Sequence, residues 1–422
     1  MMSRVLLLLP TGTYRTHDFM EAAGKLGVEV VVASEEASTM ERLQPGSLLT
    51  LDFLDPDAAA RRAAAFHRVH PFVAVIPVDE ETAVVAAAIA QAVGLPHNAP
   101  EAARATRFKH AMRDLLARAG ISGPRHELCS LEDDPTALAK RVSYPSVLKP
   151  VFLSASRGVI RVDDENEFVH AFHRIKAIVE KPEVARRGAS LAGKVLVEDY
   201  IPGTEVALEG LLTNGDLKVL ALFDKPGLLE GPFFEETFYV TPSRLTERLQ
   251  WEIIATTRRA SEALGLRHGA VHAELRINDQ GVFVVEVAAR SIGGLCSRAL
   301  RFGLGHSLEE LLVRHALGMD VGSLSRESKA AGVMMIPIPE AGILEEVSGI
   351  EQAKAVRGIE GVILTAHPGK RLVPLPEGAS YLGFIFARAD ETESVEGALR
   401  EAHRRLKFCI NPSPRPPWKP VE

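Results

Sequence analysis

The stretch from Gly269 to Ser297 constrains the fold of this chain more than any other, because its pattern predicts a β-hairpin. Residues 271–278 alternate between apolar and polar side chains, and residues 282–290 form the predicted returning strand. Between them, residues 279–281 predict a three-residue loop that ends in glycine, the residue best suited to the positive φ that such a loop requires. The sequence therefore predicts two antiparallel strands in a defined register.

In that register, Glu274 lies directly opposite Glu286, and His272 lies opposite Ala288. Arg290 shares their face, because side chains on one face of a strand recur at every second residue. Two like charges placed opposite each other destabilise a sheet by up to about 1 kcal/mol unless a cation lies between them. Mg²⁺ suits this position, since it commonly binds one or two protein carboxylates together with phosphate oxygens. A metal site is therefore favoured over a surface hairpin whose polar face only meets water.

These residues resemble the metal-binding strands of the ATP-grasp superfamily, in which two acids bind Mg²⁺ and a following arginine contacts the transferred phosphoryl group. The shared pattern runs from Glu274 through Glu286 to Arg290. One position departs from it, because the superfamily usually has asparagine where this chain has Ala288. The resemblance implies ATP and Mg²⁺ as cofactors, with Mn²⁺ as an alternative metal, and leaves the number of metal ions open.

Two lysines and a loop rich in serine and glycine extend the resemblance to the phosphates of ATP. Lys109 lies on a helix predicted over residues 100–119, and Lys149 ends an apolar strand just before Pro150. Their order and spacing match the two phosphate-contacting lysines of ATP-grasp enzymes. The loop over residues 152–160 resembles the phosphate-covering loop of that family, although such a loop taken alone is most often a plain turn. The resemblance implies nucleotide contacts for Ser154, Ser156 and Arg157.

The segment VEDYIPGTEV resembles the hinge of ATP-grasp enzymes, where adenine is bound. The resemblance implies that Glu198 meets the edge of the adenine, and that the backbone of Tyr200 and Ile201 forms hydrogen bonds with it. Glu205 is expected to accept hydrogen bonds from both ribose hydroxyls, since a carboxylate offers several lone-pair sites. Taken singly, each of these residues also fits a surface turn between strands.

Other residues are candidates for substrate binding. Glu80 lies at the junction between a predicted parallel strand and a helix predicted over residues 81–93, where an acid also suits the helix dipole. Glu236, or its neighbour Glu235, is a candidate to bind the ammonium group of an amino acid. His272 is either a pocket wall or a substrate contact. With Arg290, the backbone amides of Gly293 and Gly294 are expected to stabilise an acylphosphate and an oxyanion, because glycine allows close backbone approach.

Strands and helices alternate through the first hundred residues, which is typical of a parallel sheet with βαβ connections. Together with the resemblance, this predicts an α/β and α+β fold. Its parts are a Rossmann-like domain (1–98), a two-lobed ATP-grasp domain (99–330, small lobe about 144–200), a small C-terminal α+β domain (331–410) and a Pro-rich tail (411–422). Within these parts we expect a polar linker at 180–193, an irregular lid at 224–242, and a helix directly after Gly294.

The composition argues against several kinds of partner. A net charge of −6, with acids and bases interspersed, offers no basic surface for nucleic acid or anionic lipid. No apolar stretch reaches the ~18 residues that span a bilayer, and the apolar run that ends at Pro10 is too short for a signal peptide. The three cysteines are far apart and lack zinc-site spacing, which is typical of a reduced cytoplasmic protein. A homodimer is expected from the resemblance only.

The resemblance covers essentially the whole chain, and the C-terminal region is similar to that of L-amino-acid ligases, which are dipeptide synthetases. It implies an ADP-forming carbon–nitrogen ligase that activates a carboxylate as an acylphosphate and joins it to an amine, with two L-amino acids as the expected substrates. Two alternatives are kept. One is an ATP-grasp ligase of the glycinamide ribotide synthetase type. A phosphoribosyl substrate would require an additional cluster of arginines or backbone amides to bind its phosphate, and the sequence shows no obvious one. The other is a nucleotide-binding module without turnover, which the departure at Ala288 keeps open.

Overall fold

The computed structural model describes residues 3–412 of the 422-residue chain, except residues 39, 42, 45, 228, 229 and 236. Its strands are, in chain order, β1 Arg4–Leu8, β2 Glu29–Ser34, β3 Leu48–Thr50, β4 Ala74–Pro77, β5 His126–Ser130, β6 Ser146–Pro150, β7 Ile160–Val162, β8 Lys194–Asp199, β9 Thr204–Thr213, β10 Asp216–Asp224, β11 Phe238–Thr241, β12 Gly269–Asn278, β13 Gly281–Ala288, β14 Ala330–Ile336, β15 Gly342–Ser348, β16 Ile359–Leu364, β17 Arg371–Leu372, β18 Gly383–Ala389 and β19 Lys407–Pro412.

The α-helices follow the same order. They are α1 Thr16–Lys25, α2 Pro56–Val69, α3 Ala83–Val93, α4 Pro100–Arg107, α5 Lys109–Arg118, α6 Pro135–Ala139, α7 Glu165–Val179, α8 Pro182–Gly188, α9 Glu247–Ala263, α10 Leu308–Ala316, α11 Ile350–Lys354 and α12 Thr392–Arg405. Three short 3₁₀ helices span Glu80–Thr82, Ala189–Leu191 and Cys296–Ala299. Among the residues described, no helix is both long enough and apolar enough to cross a bilayer.

The chain divides into two compact units. Unit 1 comprises Met1–His126, Ile201–Phe223 and Ser243–Ser328. Unit 2 comprises Glu127–Tyr200, Asp224–Pro242 and Lys329–Glu422.

Unit 1 begins with the predicted parallel sheet, in the strand order β3-β2-β1-β4. Its strands are apolar because helices cover the faces of a parallel sheet, so side chains on both sides of a strand are buried. Leu6 and Leu8 of β1 pack with Phe72 and with Ile89 of α3 in the core. The prediction of a parallel N-terminal sheet is therefore confirmed.

A row of antiparallel strands in unit 1 carries the hairpin that the sequence singled out. Its order is β13-β12-β9-β10, and β12 is antiparallel to both of its neighbours. One face packs against the helices, with Met112 of α5 and Ile253 of α9 contacting the core that contains Leu275 and Val287. The polar side chains of β9 and β12 lie on the opposite face.

The described residues of unit 2 form three groups of hydrogen-bonded strands. The first has the order β5-β8-β6-β7, with β6 antiparallel to β7 and β8. The strands β11-β14-β18-β16 pair antiparallel, and α12 packs on them through Val395 and Leu399. The third sheet has the order β17-β15-β19. The prediction of a mixed α/β fold with a small C-terminal α+β region is confirmed.

Several predicted elements were wrong in detail. The helix predicted over residues 100–119 is broken at Phe108, whose backbone is extended (φ −109°, ψ 107°), so Lys109 begins a separate helix. The predicted polar linker contains α8, and the predicted irregular lid contains β11. The helix expected after Gly294 is a four-residue 3₁₀ helix, too short to present a helix dipole.

Candidate active site

The predicted pairing of the two glutamates is confirmed in the β12–β13 hairpin. Glu274 is the direct partner of Glu286, and His272 is the direct partner of Ala288. The carboxylates are partly buried, with 14% of the Glu274 side chain and 23% of the Glu286 side chain exposed. Two carboxylates thus occupy neighbouring positions at one place on the sheet.

The turn of the hairpin differs from the prediction. Asn278 pairs with Gly281, so two turn residues replace the predicted three-residue loop. This change alone would shift every later pair by one residue. A β-bulge compensates for it, because Leu275 pairs with Val284 and leaves Val285 as an extra residue before Glu286. The predicted partners therefore meet, but through a shorter turn and a bulge.

The bulge also decides which face of the sheet Glu286 occupies. Before the bulge, the even-numbered Val282 and Val284 contribute to the apolar core. After it, the odd-numbered Val287 and Ala289 do so. In an uninterrupted strand Glu286 would share the face of Val284, because side chains alternate strictly. The extra residue turns its carboxylate away from the core.

Arg113 of α5 supports the bulge. It is 3% exposed, and its Nη1 and Nη2 atoms donate to the carbonyls of Val284 (3.4 Å) and Val285 (2.6 Å). A bulge leaves ladder carbonyls without a strand partner, so a buried donor here removes a desolvation cost. Lys109, one turn earlier on α5, places its Nζ 3.8 Å from Glu286 Oε2. The same helix therefore supports the strand and provides the cation beside its carboxylate.

A histidine of β12 contacts glutamates on β9 and on β12 itself. His272 Nδ1 forms a short contact with Glu209 Oε1 across the β12–β9 pairing, and its Nε2 lies 3.3 Å from Glu274 Oε1. Burial alone would lower the pKa of His272, but Glu209 and Glu274 outweigh it and raise that pKa to about 9. Glu209, which is completely buried, also accepts a hydrogen bond from the backbone N–H of Ile292 (3.1 Å). It is a site residue that the sequence did not lead us to predict.

Arg290 lies among the acids and binds Glu80. Its Nε is 3.0 Å from Glu80 Oε2, and its Nη1 donates to the carbonyl of Ser291 (3.0 Å). Burial by itself would lower the pKa of Arg290, but Glu80, Glu286 and further carboxylates outweigh it and raise that pKa. Glu80 Oε1 is buried and has no hydrogen-bond partner among the residues described. The structure thus brings Glu80 and Arg290 together, which the sequence had not predicted.

The donor set at the hairpin fits a hard divalent cation. Glu274 and Glu286 provide carboxylate oxygens on one face, which is the ligand type and number that Mg²⁺ uses when phosphate oxygens complete its coordination. Across residues 3–412, apart from the six internal positions not described, no cluster of three or more His, Cys, Asp or Glu side chains is arranged to hold a metal. Ala288, opposite His272, is fully buried and adds no ligand. The residues therefore fit a metal that needs phosphate as a co-ligand.

A second buried network supports this site. Arg15 is completely buried, and its Nη1 donates to the carbonyl of Val78 (3.2 Å) and to Ser291 Oγ (2.9 Å). Its Nη2 lies 2.8 Å from Glu309 Oε1 in the first turn of α10. Val78 lies two residues before Glu80, and Ser291 directly follows Arg290. Arg15 is therefore placed to position the segments that carry the Glu80–Arg290 pair.

Replacement of Arg15 by methionine is expected to lower the free energy of unfolding by about 3–5 kcal/mol, because Glu309 would remain as a buried charge without its partner. Urea unfolding followed by circular dichroism measures this change. The double variant Arg15→Met/Glu309→Gln should recover a large part of the loss, since it removes both charges. A single variant that unfolds within about 1 kcal/mol of the parent would contradict the assigned pairing.

In unit 2, Lys149 pairs with Glu198 on adjacent strands. Lys149 Nζ lies 2.6 Å from Glu198 Oε2, and both side chains are buried. β6 and β8 are neighbours in the sheet, and Lys149 is the last residue but one of β6. A lysine and an acid that lie 49 positions apart in the sequence are thus in direct contact, although each was expected to contact nucleotide.

The predicted phosphate-covering loop is held within unit 2. Ala155 and Ser156 have positive φ, 54° in each case, and the segment forms turns. Arg157 Nε donates to the carbonyl of Glu377 (2.9 Å), and burial lowers the pKa of Arg157. The Gly158 N–H donates to the carbonyl of Pro376 (2.9 Å). Ser154 and Ser156 therefore lie on a loop that the C-terminal region anchors.

The hinge residues are divided between the units, with Tyr200 in unit 2 and Ile201 and Glu205 in unit 1. In unit 2, the Tyr200 N–H donates to the Pro145 carbonyl (3.1 Å). In unit 1, Arg276 donates to both Glu205 Oε2 (2.8 Å) and the Ile201 carbonyl (2.8 Å). Arg276 is a further residue that the sequence did not lead us to predict.

The remaining predicted residues lie as follows. Gly294 has φ +60° and therefore favours glycine, whereas a side chain at Gly293 would meet open space. The Cys296 N–H donates to the Gly293 carbonyl (3.3 Å). Glu236 lies outside the described residues. Burial raises the pKa of its neighbour Glu235.

Comparisons with known proteins describe three parts of the chain. Residues 20–97 match the ATP-grasp N-terminal domain, and residues 142–299 match the ATP-grasp domain. Residues 334–411 match L-amino acid ligase C-terminal domain 2. The hairpin with the paired glutamates lies inside the second of these matches.

Similar proteins include two curated relatives and one solved structure. Protein y4rH of Sinorhizobium fredii is 23% identical over 97% of this chain and 84% of its own length. The alanine–anticapsin ligase of Bacillus subtilis is 26% identical over 52% of this chain, and the match spans 49% of that ligase. The crystal structure of an L-amino acid ligase from Bacillus licheniformis is 26% identical, with a TM-score of 0.81, over 97% of this chain and 99% of that one. The similarity to the solved ligase thus extends along nearly the whole chain.

Proposed function

We propose, on the premise that this chain is an ATP-grasp ligase with an L-amino acid ligase C-terminal domain, that it joins two L-amino acids into a dipeptide and releases ADP and phosphate. The activity class is that of an ADP-forming carbon–nitrogen ligase. We also propose the roles of individual residues in binding ATP, Mg²⁺ and the amino acids, and the division into domains at residues 1–98, 99–330 and 331–410.

The arrangement of Glu274, Glu286, Lys109 and Arg290 carries the proposal. Two carboxylates face each other across β12 and β13, with Lys109 3.8 Å from one of them. Arg290 is partly buried and lies in the field of Glu80 and of these carboxylates. Phosphoryl transfer requires mainly that the phosphate charges be neutralised and positioned. Acids that bind a metal, next to cations that contact phosphate, meet this requirement.

The proposed reaction has two steps. A carboxylate oxygen of the first amino acid attacks the γ-phosphorus of ATP, the bond to the β-phosphate oxygen breaks, and ADP leaves. The neutral amine of the second amino acid then attacks the acyl carbon, phosphate leaves with the bonding electrons, and the nitrogen loses its extra proton. Mg²⁺, bound to Glu274 and Glu286, would neutralise phosphate charge during the first step.

Lys109 and Lys149 are proposed to contact the phosphates, because a lysine provides a compact positive charge on a flexible stem. The loop with Ser154, Ser156 and Arg157 is proposed to cover them and to exclude water from the acylphosphate. Glu198, Tyr200, Ile201 and Glu205 are proposed to contact the nucleoside. For Glu198 this contact requires that the ion pair with Lys149 be exchanged for nucleotide contacts.

Glu80 and Arg290 are proposed to contact the amino acid that is activated. Glu80 Oε1 is buried and lacks a hydrogen-bond partner among the described residues, so it can accept a hydrogen bond from an ammonium group. Arg290 is proposed to stabilise the acylphosphate, together with the Gly293 and Gly294 amides. His272 is bound to two acids, which favours its role as a wall of the pocket over a direct substrate contact.

ATP turnover in the presence of added amino acids tests the proposal. ADP release, measured with a coupled assay, should require an amino-acid pair, and mass spectrometry should detect the corresponding dipeptide. ADP formation only with glycine and a phosphoribosylamine would favour the glycinamide ribotide synthetase type. Nucleotide binding without ADP release, over all pairs of the twenty common amino acids, would favour the non-catalytic module.

A further inference from the structure

Unit 1 contains a cavity of about 490 Å³ whose lining includes Arg290. This volume lies within the range of roughly 300–1,000 Å³ that small-molecule sites occupy. β4, α3 and α10 contribute to its walls, together with the start of β12 and the residues that follow β13. None of the residue roles proposed above, apart from that of Arg290, accounts for this space.

The cavity exists because one face of α3 carries only alanine. Ala83, Ala86, Ala87 and Ala90 line it, and their spacing places them on one stripe of the helix. Each alanine side chain ends at Cβ, so the stripe does not reach the opposite wall. Larger apolar side chains also line the cavity, among them Ile76, Leu312 and Met319. Methionine adapts its shape readily to different ligands.

The lining carries little charge. Arg290 is the one Lys, Arg, Asp or Glu among the described residues that line the cavity. Three histidines also line the cavity, of which His315 makes a 2.9 Å hydrogen-bond contact from Nε2 to Thr213 Oγ1. Burial lowers the pKa of His268 and of His315, which favours the neutral form of each imidazole. Apart from Arg290 and the histidines, the lining is therefore uncharged and mostly apolar.

The position of Arg290 relates this cavity to the amino acid that is activated. Arg290 lines the cavity and binds Glu80, so the charged groups of a bound amino acid are expected beside this ion pair. Resting on the proposed ligase function, we propose that the cavity binds the side chain of the carboxylate-donating amino acid, and that this side chain is large and uncharged, either aromatic or long aliphatic. A small side chain would leave the walls without contact atoms. A charged side chain would be desolvated without an opposite charge to pair with it.

Hydroxylamine can replace the second amino acid and so isolates the selection of the carboxylate. It attacks the acylphosphate and releases phosphate, and the hydroxamate that forms is measured by its iron(III) colour. For the unmodified protein we expect kcat/KM for L-phenylalanine and L-leucine to exceed that for glycine and L-aspartate by at least about tenfold, since one or two buried methylene groups account for such a factor. Equal or better use of glycine or L-aspartate would overturn the inference, while the ligase function would stand.

Variants on α3 test whether the cavity makes this selection. Ala90→Phe should fill part of it and lower kcat/KM for L-phenylalanine at least about tenfold more than that for L-alanine. Gln91→Phe adds the same ring to the next residue, which is exposed, and should leave the preference unchanged. Ala90→Val is a milder filling that should shift the preference in the same direction if the larger ring prevents folding. Equal effects of Ala90→Phe and Gln91→Phe on both substrates would overturn the inference.

A binding measurement separates this inference from the proposed function. Calorimetric titration should show that L-phenylalanine binds to the unmodified protein and that Ala90→Val weakens the binding. If no amino acid supports hydroxamate or ADP formation, the ligase proposal fails, and weakened binding in the variant would still support the cavity as an apolar subsite. Absence of L-phenylalanine binding to the unmodified protein, together with turnover of other amino acids, would overturn the inference alone.

Discussion

Glu286→Gln is expected to lower the rate of ADP formation by at least about 10²-fold, a loss of the size that removal of one preorganised charge-stabilising group causes. Glutamine keeps the size of the side chain but lacks the negative charge that would bind Mg²⁺ between β12 and β13. The fold should survive, because 23% of the Glu286 side chain is exposed and its contact with Lys109 is long, at 3.8 Å. Coupled-assay kinetics and thermal unfolding would measure the two effects separately.

Asp279→Asn is the matched control for this variant. Asp279 is exposed in the turn of the same hairpin, so the substitution removes one carboxylate from the hairpin without affecting the paired acids. It should leave the rate of ADP formation within about twofold of the parent, as for a surface change away from the site. Unaltered turnover of Glu286→Gln would refute the assignment of the metal ligand.

Arg290→Lys is expected to reduce dipeptide formation by about 10²-fold while nucleotide affinity changes little. Lysine retains the positive charge, so Glu80 would not be left as an unpaired buried acid. It lacks the planar guanidinium that lets Arg290 contact Glu80 and the Ser291 carbonyl simultaneously. Product analysis by mass spectrometry and titration with a fluorescent ATP analogue would determine the two quantities.

Arg298→Lys provides the comparison for Arg290→Lys. Arg298 also binds a carboxylate of unit 1, with its Nη2 2.7 Å from Asp18 Oδ1, and no role in the reaction is proposed for it. Its substitution measures the general effect of the loss of an arginine–carboxylate pair. A similar decrease in nucleotide affinity and in product formation for Arg290→Lys would contradict a role in the acyl transfer step.

The hairpin illustrates how far the sequence could predict the site. The residues indicated two strands and correctly paired Glu274 with Glu286, but the turn was predicted one residue too long. A signal for the bulge was present, since the apolar positions change from even-numbered before Val285 to odd-numbered after it. The prediction assumed that side chains alternate without interruption along this strand, so it missed the change.

Other site residues depend on long-range contacts that a sequence does not display. Glu209 interrupts an apolar strand, which was a usable signal, but its partner His272 lies 63 residues away. Arg15 and Glu309 are separated by 294 residues, and nothing in the neighbourhood of either one indicates the other. The break at Phe108 also lacks a proline or glycine to mark it. Local patterns thus predicted elements and local pairs, whereas networks that cross several elements required the structure.

The support that α5 gives to β13 has a consequence for the thermodynamics of nucleotide binding. Arg113 holds the bulge carbonyls, and the Val287 N–H donates to Met112 Sδ (3.3 Å), so the helix that begins with Lys109 is fastened to the strand that carries Glu286. The backbone positions of Lys109 and Glu286 are thus preorganised before a ligand binds. Little conformational entropy remains for this part of the protein to lose, so the ordering cost of association falls largely on the flexible triphosphate.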